Sequence, residues 1–252
     1  YSRNDSVGSS YVESQYENVL KGTKEVINVE TRNNKIVKEI KQYGGKAGDN
    51  VELTINSDFQ NKVLKIMNDC VKSIVGGNPY SPGGYAVVMN PNTGGIYALA
   101  GVNRNVKTGK ITDNALGAIN QTYVMGSVVK GAMVLGALKS GVITPSNNTL
   151  TDEPIKLKGT ATKSSWFNKT GGANLSLTAS DALEVSSNSY MMKLAMMEGG
   201  FNYVPGSALS LSNSIFDKLR SNFKQFGLGV KTGIDIPGEA KGFEGPANQA
   251  HI

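Results

Sequence analysis

The sequence predicts an α+β fold, on three observations. Strand-like runs occupy the first hundred residues, and from about residue 126 apolar residues recur at helical spacing instead. With 252 residues, 39% hydrophobic and 18% charged, the chain has enough apolar mass for a real core and too little charge for disorder. Its 30 glycines fall largely between the patterned runs, where they mark boundaries.

Taken in order, Ser14 to Leu20 reads as a short helix. Lys24-Glu-Val-Ile-Asn-Val-Glu30 and Lys35-Ile-Val-Lys-Glu-Ile-Lys41 both alternate, and Thr31-Arg-Asn-Asn34 joins them as a hairpin turn. Gly44-Gly45 and Gly48-Asp49 then place a domain boundary between residues 1–48 and 49–252. Val51-Glu-Leu-Thr-Ile55 reads as a short strand leading into a helix from Ser57 to Val75. Phe59, Val63, Ile66, Cys70 and Ile74 keep helical spacing on it and predict the buried stripe, with Cys70 a small core residue. Tyr85-Ala-Val-Val-Met89 and Ile96-Tyr-Ala-Leu-Ala100 form a second hairpin across Asn90-Pro-Asn-Thr-Gly-Gly95. Both strands are almost continuously apolar, which predicts a sheet covered on both faces. Helices follow at about 126–139, 178–185, 189–198 and 214–226, with Gly199-Gly200 and Gly227 as stops.

Composition removes several kinds of chemistry. One cysteine, Cys70, forbids an intrachain disulfide or a Cys-cluster zinc site, and one histidine, His251, argues against His-rich metal sites and a Ser-His-Asp triad. The net charge of +6 is scattered, without the basic stripe and stacking aromatics of a nucleic-acid binder. The longest near-apolar stretch, Gly131 to Leu138, is far short of the roughly 18 to 20 residues that span a bilayer. Tyr1 is not an initiator methionine and Pro246 to Ile252 carries no terminating element, so the sequence reads as a piece of a longer chain.

Where imidazole is scarce, lysine is the alternative base for activating a serine. Ser127-Val-Val-Lys130 opens the apolar segment Gly126 to Leu138, and residues three apart share a helix face. A lysine there is hard to bury charged; desolvation lowers its pKa, and a neutral amine can take a serine proton. A serine in the first helical turn also holds its own N–H near the positive helix end, where an oxyanion is stabilised. The spacing is cheap, since Ser221-Asn-Phe-Lys224 repeats it in a polar stretch where a solvated lysine is unremarkable. Ser186-Ser-Asn188 lies between two predicted helices, where a hydroxyl and an amide can point into one cleft, although an ordinary turn or N-cap would use the same residues. Ser2-Arg-Asn4 and Ser146-Asn-Asn148 match that pattern too.

Order and spacing say more than either motif. Ser-x-x-Lys, followed 59 residues later by Ser-x-Asn, resembles the penicillin-binding proteins and serine β-lactamases. Three longer stretches narrow the likeness. Leu53-Thr-Ile-Asn-Ser-Asp-Phe-Gln60, Ala86-Val-Val-Met-Asn-Pro-Asn-Thr-Gly-Gly-Ile96 and Phe226-Gly-Leu-Gly-Val-Lys-Thr-Gly-Ile-Asp-Ile-Pro-Gly-Glu239 resemble a class B penicillin-binding protein of Gram-positive type. Gly8 to Gly22 resembles the end of that family's N-terminal pedestal. The sequence departs from the pattern at Met125, where the family usually has proline.

The resemblance implies a helical subdomain with an antiparallel sheet, incomplete at the C-terminus, residues 1–48 being the end of the pedestal and 49–252 the first part of the transpeptidase domain. It implies a peptidoglycan D,D-transpeptidase in which Ser127 is the nucleophile and Lys130 the base. Ser186 would relay a proton to the leaving amine, and Asn188 would bond Lys130 or the substrate amide. The ligands would be stem peptides ending in D-Ala-D-Ala and β-lactams, with no metal or cofactor and no nucleic acid. A membrane-bound glycosyltransferase would be the partner, at the outer face of a membrane reached by an anchor upstream of Tyr1. A β-lactamase or β-lactam sensor, or a non-catalytic wall-synthesis scaffold, are the alternatives. Lys231-Thr-Gly233 matches the family's third motif in letters, but it runs from a helix stop into Pro237 only 104 residues after Ser127, so it reads as a loop. The true third motif would then lie beyond Ile252, leaving this segment alone poorly acylated. Trp166 is either a core anchor or a cleft wall.

Overall fold

The computed structural model describes residues 6–212 and 214–244, so the sequence reading of 246–252 lies outside the described residues. The chain divides into two compact units, Tyr1–Gln121 with Gly233–Ala240, and Thr122–Thr232 with Lys241–Ile252. No helix among the described residues is long and apolar enough to cross a membrane.

In the first unit the predicted opening helix becomes two short ones, α1 (Tyr11–Gln15) and α2 (Glu17–Leu20), broken at Tyr16. A hairpin of β1 (Val26–Arg32) and β2 (Lys35–Tyr43) follows. Its turn is tighter than the sequence suggested, because Thr31 and Arg32 stay in the strand. Asn33 and Asn34 turn the chain alone, with φ of 50° and 57°, the positive pair that a tight primed turn requires. Val51–Ile55 is not a strand. That segment is held beside the sheet by isolated contacts, Thr54 Oγ1 to the Ile96 carbonyl at 2.8 Å and Asn56 N–H to the Tyr97 carbonyl at 3.2 Å.

Helix α3 (Ser57–Ile74) starts where expected, its first turn capped by the Asn56 side chain accepting from Phe59 N–H. Its inward stripe differs. Val71 is buried and Gln60, Leu64 and Met67 are half-buried, whereas Phe59, Ile66, Cys70 and Ile74 are exposed. A polar residue decides the rotation. The Gln60 amide bonds both backbone groups of Leu99, donating to its carbonyl at 2.9 Å and accepting its N–H at 2.8 Å. Turning Gln60 inward carries the neighbouring apolar stripe with it and leaves Cys70 in solvent. The sheet is antiparallel in the order β3 (Gly83–Met89), β4 (Ile96–Arg104), β5 (Ile111–Asp113), followed by α4 (Gly117–Asn120). Only the central strand is covered on both faces, from Ala98 to Val102; on β3, at the edge, Val87 and Met89 are exposed.

The second unit is mainly helical. A 3₁₀ turn (Gly126–Val129) runs directly into α5 (Lys130–Ser140). Strands β6 (Leu150–Asp152) and β7 (Leu175–Leu177) pair antiparallel. Then come α6 (Ala179–Glu184), α7 (Asn188–Glu198) and α8 (Ser214–Lys224). Thr178 and Asp181 close a reciprocal capping box on α6. The core is built from Met133 and Ala137 of α5, Ala182 of α6, Tyr190, Met191 and Leu194 of α7, and Ile215 and Leu219 of α8. A Cβ at Gly136 would lie 2.7 Å from the Asn222 amide nitrogen and 3.2 Å from its Cβ, so a bare backbone is what lets α8 approach α5 there. At the far end, Glu198 accepts from Ser140 Oγ at 2.6 Å and pairs with Lys218, joining three helices.

Leu194 has no exposed surface and lies in the centre of this packing. Leu194→Ala is expected to lower unfolding stability by about 2–5 kcal/mol, measured by denaturant titration.

Candidate active site

The 3₁₀ turn begins at Gly126, whose φ of 58° is left-handed and suits glycine. Three residues per turn eclipse positions i and i+3, so Ser127 and Lys130 lie on one face more directly than on an α-helix. Ser127 is exposed and, among the described residues, its hydroxyl makes no side-chain hydrogen bond. Its N–H belongs to a first turn, whose amides have no intrahelical acceptor. Lys130, at the start of α5, is 6% exposed.

Burying a lysine requires partners for its ammonium, and the turn between α6 and α7 provides them. Lys130 Nζ donates to Asn188 Oδ1 at 2.7 Å, to the Ser186 carbonyl at 2.8 Å and to Ser186 Oγ at 3.0 Å. An ammonium has three protons, and this set uses all of them. Three of the four residues singled out from the sequence are thus in direct contact, and the fourth, Ser127, stands one turn from Lys130. Burial pushes the Lys130 amine below the ordinary lysine range, while the negative charge of Asp152 partly opposes the shift.

The turn reaches the lysine by an unusual backbone. Ser186 has φ of 54°, in the left-handed region that costs a non-glycine residue of order 1–2 kcal/mol. It is held there because Ser186 N–H bonds the Leu183 carbonyl, Ser187 N–H bonds the Ala182 carbonyl, and Ser187 Oγ caps α7 by accepting from Tyr190 N–H. The inter-helix placement therefore matters: within a helix, residues 186 and 188 would diverge, whereas here both face Lys130.

The sequence missed the residues beneath this turn. Asp152, Ser165, Asn168 and Ser187 form a buried polar cluster, with Asp152 accepting from both Ser165 Oγ and Ser187 Oγ at 2.5 Å. No local pattern marks Asp152, which closes a three-residue strand paired with a segment more than twenty positions away. Trp166 is 68% exposed, so it is no core anchor. Its indole N–H donates to the Val185 carbonyl at 3.0 Å and its ring meets Phe167 edge-on, pinning an aromatic surface next to Ser186. Lys231-Thr-Gly233 is exposed and lies in no strand. The second Ser-x-x-Lys, on α8, has a half-exposed Lys224 facing Glu244 at 3.9 Å, an ordinary solvated arrangement.

A serine one helical turn before a buried lysine, with that lysine held by a Ser-x-Asn turn, defines the class of active-site serine acyltransferases that includes the penicillin-binding proteins. The penicillin-binding protein transpeptidase domain model matches residues 84–250, and the penicillin-binding protein dimerisation domain model matches residues 1–53. The chain belongs to the penicillin-binding proteins, and among them to the class B type. It is 40% identical over 249 residues to penicillin-binding protein 2B of Streptococcus pneumoniae, covering 96% of this chain and 36% of that protein. Against the peptidoglycan D,D-transpeptidase MrdA of Salmonella typhimurium it is 26% identical over 247 residues, covering 96% of this chain and 37% of that protein. The solved structure of penicillin-binding protein 2B from S. pneumoniae strain R6 superposes with a TM-score of 0.86 at 38% identity, covering 100% of this chain and 41% of that one. The chain thus spans little more than a third of the length of the curated relatives it matches.

Glycine at position 186 would relieve the backbone while removing the hydroxyl. In the full-length protein, Ser186→Gly is expected to leave the thermal unfolding midpoint within a few degrees of wild type, because relief of about 1–2 kcal/mol of backbone strain is offset by the loss of one acceptor from the buried Lys130. The same change is expected to slow acylation by labelled penicillin at least tenfold.

Proposed function

We propose that the protein containing this chain is a peptidoglycan D,D-transpeptidase acting through an acyl-enzyme on Ser127. The observation that carries the reading is the buried Lys130 amine, held by Ser186 and Asn188 one turn from an exposed serine. Family membership and the likeness to a named D,D-transpeptidase support the substrate class.

In this mechanism Ser127 Oγ attacks the carbonyl between the two terminal D-alanines of a stem peptide, and the neutral Lys130 amine takes its proton. Ser186 O and Asn188 Oδ1 can only accept, so both protons of the neutral amine stay on them. The amine lone pair then faces the third partner, Ser186 Oγ, with which it can exchange a proton. Ser186 Oγ, 3.0 Å from Nζ, can then pass a proton on toward the departing amine. The Ser127 N–H, free of an intrahelical acceptor, faces the developing oxyanion. Release of the terminal D-alanine leaves the ester, which an amine from a neighbouring stem resolves into the cross-link, returning Ser127 its proton. A β-lactam closes the same ester and remains.

The same reading takes residues 1–48 as the end of a pedestal and 49–252 as the opening of the transpeptidase domain. It places the protein at the outer face of the cell membrane, anchored upstream, beside a membrane-bound glycosyltransferase. A β-lactamase or sensor fits less well, since the match of residues 1–53 to a dimerisation domain has no place in it. Persistence of the penicillin adduct for many minutes, against hydrolysis within seconds, separates the two.

Ser127→Ala in the full-length protein is expected to abolish covalent penicillin labelling; labelling at the normal rate would remove Ser127 from the mechanism. The pH profile gives a second test. Acylation needs neutral Lys130, so its rate rises with pH through the lysine pKa. Because burial lowers that pKa, the half-rise is expected below the ordinary lysine value of about 10.4. A half-rise at or above that value would exclude Lys130 as base.

A further inference from the structure

We propose that Asp152 is a positioning residue for Lys130, its buried carboxylate holding the 186–188 turn, through Ser165 and Ser187, in the form that meets the lysine. The proposal rests on the acyl-enzyme reading above and adds a residue to it.

The argument is one of proton wiring. Asp152 ends β6 with no exposed surface, and its Oδ2 accepts from Ser165 Oγ and Ser187 Oγ, each at 2.5 Å. Asn168 Nδ2 lies 3.3 Å from Oδ1 and 3.1 Å from the Asp152 carbonyl. Each serine owns a single hydroxyl proton, and both protons are committed to the carboxylate. Their oxygens are therefore left as acceptors facing α7. Ser165 Oγ receives Asn188 N–H at 2.9 Å and Ser189 N–H at 3.2 Å, and Ser187 Oγ receives Tyr190 N–H at 3.0 Å. Three amides of the first turn of α7, which no helical carbonyl can satisfy, end on hydroxyls that the carboxylate orients. The negative charge beneath them also suits the positive end of the helix. Asn188 is fixed by its own N–H, and its Oδ1 then stands 2.7 Å from Lys130 Nζ.

A neutral amide of the same shape cannot reproduce this. Whichever way the amide introduced by Asp152→Asn were turned, its NH₂ would face either the two hydroxyl protons or the Asn168 amide. Relief in the first case would turn a serine proton toward the α7 amides, donor against donor. The loss would fall on the turn that holds Lys130.

Charge supplies a second signature. The elements packed against α5 carry Asp181 and Glu184 on α6, Lys193 and Glu198 on α7, and Asp217, Lys218, Arg220 and Lys224 on α8. Asp181 is tied to Thr178, Lys193 to Glu153, Glu198 to Ser140 and Lys218, and Arg220 and Lys224 face Glu244. Among the described residues, the charge of Asp152 acts on Lys130, and it raises the lysine pKa against burial.

The test uses the full-length protein, with the rate of labelled-penicillin acylation followed against pH and normalised to folded protein by thermal unfolding. Asp152→Asn is expected to lower the plateau rate at least tenfold and to move the half-rise to lower pH, because loss of the charge lets Lys130 deprotonate sooner. Ser187→Ala removes one donor and keeps the charge; it is expected to slow the plateau at least threefold with the half-rise unmoved. A half-rise unmoved in folded Asp152→Asn, or a plateau within twofold of wild type, overturns the proposal. If Asp152→Asn does not fold, Ser187→Ala decides alone, and a plateau within twofold of wild type overturns the proposal. Ser127→Ala is run alongside, and labelling that survives it overturns the acyl-enzyme reading itself, whatever the Asp152 variants do.

Discussion

A primary amine is removed from water on α5, and the second unit is arranged around that fact. The Lys130 ammonium cannot be buried without acceptors, and its own helix has none to give, because the carbonyls of α5 are committed along the axis. Its acceptors come instead from a turn 56 to 58 residues away in sequence. The α5–α7 contact is therefore not only an apolar seam of Met133, Ala137, Tyr190 and Leu194. It is a seam whose register is fixed at one end by three hydrogen bonds to a single nitrogen. Sliding either helix by one residue would strand a buried charge, which costs more than any one apolar contact in the seam.

That arrangement also explains why the lysine suits a proton-transfer role. Burial and the carboxylate of Asp152 act on it in opposite directions, and burial is the larger of the two. The result is an amine lowered from its ordinary range yet still fully hydrogen-bonded. Geometry and charge are supplied by one residue, since the carboxylate that shapes the turn is also the one that tempers the amine.

Much of this was legible in the sequence, for identifiable reasons. Helices α5, α7 and α8 run 11 residues each and stop at or shortly before a glycine, so period and punctuation agree; these and the six-residue α6 lie within a few residues of their expected bounds. The Ser-x-x-Lys and Ser-x-Asn motifs are short, but their order and the stretches around them carried the family. What the sequence hid was decided by tertiary contacts. The face of α3 followed the pairing of Gln60 with Leu99, which overrode an equally regular apolar stripe and left Cys70 outside. The strands β5, β6 and β7 are three residues each, too short to show a period. Asp152 carried no signal, because its value comes from partners brought to it by folding.

Ser186 combines two demands that no other amino acid meets together. Its backbone is left-handed and its side chain must carry a hydroxyl at Lys130. Threonine would keep the hydroxyl, but its branched β-carbon makes the left-handed region still less accessible; glycine and asparagine accept the backbone and lose the hydroxyl. Drift through chemically similar intermediates is therefore closed at this position. Variation that reshapes the site over generations must enter through its neighbours, such as Trp166 and the Val185 carbonyl it holds, where side chains can change while the turn stays intact.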